Sequence, residues 1–393
     1  MNGVSLLMPG SIQIRYFLND QRHPVLPSGR LWKEPLPQTH RSDSRPDSMT
    51  HLTYGQYFTA VRHVLLQESV QARMQAVASN RSDAVSSLAV YLEKHGQFYH
   101  PARIEAVFGP QTLNFVLNVA ITDAGRDCLR KDVRHVQRLQ TEYPYSFLPQ
   151  IYHFTDIRSD VAGQPLSMAL GEWLTGFFEF HLAEDPQDGR QTLVVWEPDR
   201  GRTRLPETVC EAVYRQAAKI LAAYLDLDTF EHIRHWHHAA GDFVVQPRAD
   251  RIRVRLVTVR DYAPLFGNIE ITVDNVFELL TLYLINTALR MGLDRCDGTG
   301  TSVWAGNIAV SAAVDGTLDG LCLQAEHGIL PEALVNGFVA YIKRYPDGEL
   351  EALCQDLVIR WPADTIGREL ILDRIGLVAT CLHVAIQHLD DGL

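Results

Sequence analysis

His235-Trp236-His237-His238-Ala239-Ala240-Gly241-Asp242-Phe243-Val244-Val245 leads, through the polar turn Pro247-Arg248-Ala249-Asp250, into the β-branched run Ile252 to Val259. The runs Phe243 to Gln246 and Ile252 to Val259 predict an antiparallel hairpin. Asp242 precedes its first strand and Asp261 follows its second. Paired strands lie about 5 Å apart, so the two carboxylates are expected at one rim. They would repel each other unless a cation stood between them, and carboxylate oxygens suit Mg²⁺ or Ca²⁺. Solvated loop acids, or an Asx-turn, satisfy the same spacing.

Upstream, His232, His235, His237 and His238 form a dense imidazole cluster at the end of a predicted helix. Imidazoles there can complement the helix dipole, ligate a metal or act as a general base. A metal-dependent hydrolase built on His235, His237 and His238 is one reading. No further His or Cys pair at ligand spacing follows, which ranks it below the reading developed next.

Working outward, 393 residues exceed one small core and predict two or three lobes. Hydrophobic residues at 46 % and charged ones at 21 % are the values of a folded soluble protein. A formal charge of -11 excludes a general basic surface for nucleic acid, though not a local basic pocket. The six cysteines contain no C-x-x-C pair and read as reduced, mostly buried thiols. The longest apolar stretch, Val276 to Leu289, carries Glu278 and Asn286 and is too short and too polar to span a bilayer. With no signal-like N-terminus, a cytoplasmic location is expected.

Residues 1–50 are rich in proline and end in a polar run from Thr39 to Asp47, which predicts a disordered leader; Met49 is a candidate alternative start. A helix begins with Tyr57, Val61, Val64 and Leu65, and Ser86 to His95 reads as a second helical pattern. Strands are expected at Ile104 to Phe108 and Leu113 to Ile121 around Gly109-Pro110-Gln111, then a helix from Arg126 to Glu142. Short strands follow at Ile151 to Phe154, Leu170 to Leu174 and Thr192 to Trp196. The remainder is expected to be mainly helical, at Pro206 to Leu225, Asn275 to Met291, Pro331 to Tyr345 and Asp364 to Leu389. The Gly-rich stretch Asp294 to Ser302 lacks a P-loop lysine and reads as a connection.

From about Phe98 to Phe266 this order resembles the kinase-like fold of aminoglycoside phosphotransferases and choline kinases. Their loop H-G-D-x-x-x-x-N followed by a strand aligns without a gap on His235 to Val245, matching His235 to the loop His and Asp242 to the metal-binding Asn. Arg260-Asp261-Tyr262-Ala263 takes the place of the D-F-G-like segment, which makes Asp261 the expected main Mg²⁺ ligand. Leu170 to Gly176 is similar to the adenine-receiving hinge, so backbone groups of Glu172, Trp173 and Leu174 would pair with the base.

The resemblance implies an α+β, two-lobed protein-kinase-like fold: a small antiparallel-sheet N-lobe with one helix, and a mainly helical C-lobe. Residues 51–176 would form the helical lead-in, N-lobe and hinge, and residues 177–393 the C-lobe. The implied activity is ATP- and Mg²⁺-dependent phosphotransfer to a hydroxyl of a small molecule or protein.

The sequence departs from the family where chemistry is most demanding. His237 replaces the loop aspartate, Asn118 stands for the strand lysine, and Asp132 for its helix partner Glu. No G-x-G-x-x-G covers the phosphates, and Arg103 or Lys131 would have to supply the missing charge. The alternative expectation is therefore a catalytically inactive pseudokinase acting as an interaction scaffold.

Overall fold

The computed structural model describes residues 12–18, 23–37, 52–79, 83–96, 98–157, 163–184, 189, 191–197, 200–236, 241–247, 252–265, 267, 269–298, 300–362, 365 and 367–390. The protein is α+β, and its chain divides into two compact units: Met1–Gln137 with Pro149–Thr175, and Arg138–Leu148 with Gly176–Leu393.

The first unit is built on a six-stranded mixed sheet of β1 (Gln13–Leu18), β2 (Val85–Leu92), β3 (His100–Phe108), β4 (Gln111–Ala120), β5 (Ile151–Ile157) and β6 (Leu166–Glu172). Its spatial order is β1-β2-β3-β4-β6-β5, with β1 parallel to β2 and the other neighbours antiparallel. Alternation along β4 sorts its two faces. Phe115, Leu117 and Val119 join a large core with Tyr57, Phe58, Val61 and Leu65 of α1 (Tyr54–Leu65) and Met74 of α2 (Glu68–Val77). Ala120 packs on the other side with Ala169 of β6 and with Leu129 and Val133 of α3 (Asp123–Glu142). α1 starts on a capping box: Thr53 Oγ1 accepts the Gln56 N–H at 3.1 Å, and Gln56 Oε1 accepts the Thr53 N–H at 2.9 Å.

Two expectations are corrected here. The proline-rich leader is not uniformly disordered. Residues 13–18 are a strand, and Tyr16, Val25 and Leu36 enter the core, because strand pairing to β2 satisfies the backbone while few apolar side chains are needed to anchor it. Leader residues 1–11, 19–22 and 38–50 lie outside those described. The pattern read as helical from Ser86 is strand β2; a continuous apolar run carries no period of its own, and its position between β1 and β3 decides the matter.

The second unit holds a five-stranded sheet in the order β12-β11-β7-β8-β9, made of β7 (Phe178–Glu184), β8 (Gln191–Glu197), β9 (Gly201–Arg204), β11 (Phe243–Pro247) and β12 (Ile252–Leu256). Two antiparallel ribbons accompany it: β10 (Glu231–Arg234) with β13 (Asp261–Pro264), and β14 (Leu293–Arg295) with β15 (Ser302–Trp304). The helices are α4 (Glu207–Ala223), α5 (Val276–Met291), α6 (Asn307–Glu326), α7 (Glu332–Ile342), α8 (Asp347–Arg360), α9 (Arg368–Leu372) and α10 (Ile375–Gln387). Neither α6 nor α8 is foreseen in the sequence, and the single helix expected from Asp364 is two, α9 and α10. α4 and α6 pack closely: a Cβ added at Gly316 would stand 2.1 Å from the Arg215 carbonyl oxygen, and one at Gly320 2.6 Å from Ala222 Cβ.

Among the described residues no helix is long and apolar enough to cross a membrane. All six cysteines are free, but only Cys210 and Cys354 are buried.

Candidate functional site

The expected hairpin forms, with Phe243 opposite Leu256 and Pro247 opposite Ile252. Its register corrects the argument about the two acids. The residue that meets Asp242 across the hairpin is Val257, whose N–H donates to the Asp242 carbonyl at 2.8 Å. Asp261 lies farther along the chain, as the first residue of β13, and pairs instead with Arg234 of β10. The segment upstream of the loop is thus a strand, not the end of a helix. Chain direction changes at His235, which holds φ +53, a region sparsely used by residues with a Cβ.

Each carboxylate already faces protein cations. Asp242, 1 % exposed, receives both terminal nitrogens of Arg260: Nη1 to Oδ2 at 3.0 Å and Nη2 to Oδ1 at 2.5 Å. This bidentate pair is the strongest geometry available to the two groups. Gly241, at φ +68, lies close to β7: a Cβ there would come within 2.8 Å of the Glu179 carboxyl carbon. Asp261 Oδ2 lies 3.4 Å from Arg234 Nε and 3.4 Å from His235 Nε2. Burial pushes the His235 imidazole below its ordinary range, outweighing the upward pull of Asp261, so the neighbour of that carboxylate is a neutral ring near pH 7.

A Mg²⁺ ion does not fit at Asp242, since a divalent cation needs carboxylate oxygens that are open to it and both of these take the Arg260 guanidinium. Asp261, a third exposed, meets Arg234 and His235 through Oδ2. Among the described residues no group of three or more His, Cys, Asp and Glu side chains could hold a metal. His237 and His238, on which the loop-base and hydrolase readings depend, lie outside the described residues. His232 is buried against the Tyr283 ring, with Nδ1 3.3 Å from the Phe230 carbonyl. Its burial holds the imidazole down at about 4.

The residues expected to bind nucleotide in the first unit have local duties. Asn118 is half-buried on the β4 face shared with Ala120. Asp132 on α3 is buried, with the Tyr99 hydroxyl 3.5 Å from Oδ2. Arg103 does not stand ready as a substitute for lysine: its Nε donates to Glu93 Oε1 at 2.8 Å, and its guanidinium lies 4.0 Å from the Tyr91 ring centroid. Lys131 is exposed on α3.

In the segment expected to act as a hinge, the Glu172 N–H donates to the Gln150 carbonyl at 2.8 Å, and the Trp173 carbonyl accepts from the Thr175 N–H at 2.9 Å. Leu174 follows between them without a regular element. Asp294, in the Gly-rich stretch, accepts the Leu182 N–H at 3.2 Å, consistent with a connection.

The residue that sequence reasoning missed is Arg260. It was quoted only as a neighbour of Asp261. An acid buried at the start of a hairpin needs a partner, and an arginine immediately after the expected second strand is the signal that points to one.

Comparison with protein-family models and with curated proteins gives no match to this chain.

Proposed function

We propose that this chain is a kinase-like protein that does not transfer phosphoryl groups and serves as an interaction scaffold. The observation that carries the reading is the bidentate Arg260–Asp242 pair, which places a protein cation on both oxygens of Asp242, one of the two carboxylates expected to hold metal. The element order supports the kinase-like part: three antiparallel strands β2 to β4, helix α3, strands β5 and β6, a later helix α4, the loop after β10, and the hairpin β11–β12. The non-catalytic part is supported by Asn118 in the lysine position and by the ion pair of Arg103 with Glu93.

Phosphotransfer requires metal and positive charge around the phosphates to neutralise developing charge. Opening Asp242 to Mg²⁺ would strand the largely buried Arg260 guanidinium, a cost of about 3–5 kcal/mol that metal binding would have to exceed.

Calorimetric titration of ATP into the full chain, with and without Mg²⁺, tests this. The expected result is no Mg²⁺-dependent heat in the natural protein or in Asp261→Ala. Mg²⁺-dependent binding that disappears in Asp261→Ala would restore the phosphotransferase reading, with a hydroxyl of a small molecule or protein as acceptor.

A further inference from the structure

The last helix of the second unit is apolar on two faces. Ile375, Val378, Ala379, Leu382 and Ile386 of α10 are buried in the core. The other face should then be polar if it met only water. It is uncharged and part apolar: Ile375 to Gln387 contains no Asp, Glu, Lys or Arg, and beside the exposed Thr380 and Gln387 stand Leu377 and Val384, 52 % and 49 % exposed. These two belong to a stripe, Leu377, Cys381, Val384 and His388, at the i, i+4, i+7, i+11 spacing of one helix face.

That stripe forms one wall of a groove of about 480 Å³ whose other wall is α6, through Ile308, Ser311 and Asp315, with Glu211 of α4 at its edge. From Leu377 to His388 the groove extends roughly 16 Å, the length of three helical turns. Two antiparallel or parallel helices presenting a stripe of this kind form the seat into which a third helix packs.

Charge selects the occupant. Asp315 is influenced electrostatically by Asp319, Glu211 and Asp390, with Arg215 as the opposing cation. Arg215 is committed to Asp319, at 2.7 and 3.0 Å, and stands 3.8 Å from Asp315. The charged residues that line the groove are Glu211 and Asp315, which leaves its α6 and α4 side acidic, and burial raises the Asp315 carboxyl above its ordinary range.

We propose that this groove receives an amphipathic helix of a protein partner, with apolar anchors at i, i+3 or i+4 and i+7 and with Lys or Arg along the edge facing Glu211 and Asp315. A second copy of this chain fits poorly. It would bring an uncharged stripe and its own Glu211 and Asp315 to an already acidic edge, in a chain of net charge -11. The inference goes beyond the scaffold reading and does not depend on it, since none of these residues belongs to the hairpin or its ribbon.

The test is selection from a display library of α-helical peptides of about four turns, panned on the full chain and counter-selected on Val384→Glu. The natural protein should enrich peptides with the stated apolar spacing and a basic edge. A recovered peptide, made synthetically, should bind Val384→Glu and Leu377→Glu about tenfold or more weakly. It should also weaken on Glu211→Lys and in high salt. Circular dichroism melts matching the natural protein show that the variants remain folded.

No enrichment, enrichment of acidic or uncharged edges, or recovered peptides indifferent to Val384→Glu would overturn the proposal. So would a concentration-dependent dimer in sedimentation that Val384→Glu abolishes, which would assign the groove to a second copy. ATP titration of Val384→Glu separates this outcome from failure of the scaffold reading, because loss of peptide binding there leaves the nucleotide result of the natural protein unchanged.

Discussion

The rim of the hairpin and the groove beside α10 belong to one unit and have opposite characters. At the rim, every charge discussed above has its counter-charge within the protein: Asp242 with Arg260, and Asp261 with Arg234. Along the groove, apolar side chains face water and the charged lining residues, Glu211 and Asp315, are both acids. The first arrangement is complete and loses energy when opened. The second gains when covered.

The largest effect that could break this contrast comes from the buried pair. Asp242→Ala leaves the largely buried Arg260 without its bidentate partner and is expected to cost about 3–5 kcal/mol in urea unfolding. A loss below about 1 kcal/mol would mean that the rim is not closed as described.

Acid is expected to have the next largest effect. His232 is held at about 4 by burial, and so is His100 of β3, whose Nδ1 meets His95 Nδ1 at 3.1 Å. Both folded-state values are depressed, so unfolded chains take up protons between about pH 6.5 and 4 that folded chains refuse. Stability is fully present above pH 6.5 and falls as the pH drops toward 4, by about 3 kcal/mol for each imidazole. Denaturant midpoints measured across that window should slope downward toward acid, and His232→Phe should remove about half of the slope.

A third, smaller effect sharpens the meaning of the ion pair. Replacing both partners, Asp242→Leu with Arg260→Leu, should restore stability to within about 1–2 kcal/mol of the natural chain, because an apolar pair needs no desolvation of charge. Such a cycle separates the worth of the pair from the penalty of breaking it. A double variant as unstable as Asp242→Ala would show that other partners of Asp242 carry the effect.

Smallest of all, Val384→Glu should shift the unfolding free energy by no more than about 0.5 kcal/mol, as for other exposed positions. A loss of several kcal/mol would show that Val384 supports the fold, and the groove would then be part of the core.

The hairpin was legible because its signals are local: β-branched runs, a polar turn, and acids at both ends. The helices α1, α3, α4, α5 and α7 were legible for the same reason, each having a 3.6-residue period between recognisable stops. β2 was misread because a run buried on both faces has no period, and α6 was passed over because its small residues, Gly316 and Gly320 among them, serve a close approach to α4 that only the partner helix reveals. β1 lay hidden in a stretch whose composition argued for disorder, although six residues supported by a neighbouring strand need little hydrophobicity of their own.

The site divides in the same way. Residue types and spacing alone established the hairpin of β11 and β12 with Asp242 before its first strand, since that is a matter of local order along the backbone. Which carboxylate meets which cation was decided by tertiary structure. Register set Val257, not Asp261, against Asp242, and the fold then brought Arg260 onto both of its oxygens. Ion pairing depends on distances of a few ångströms between groups whose separation in sequence carries no such information.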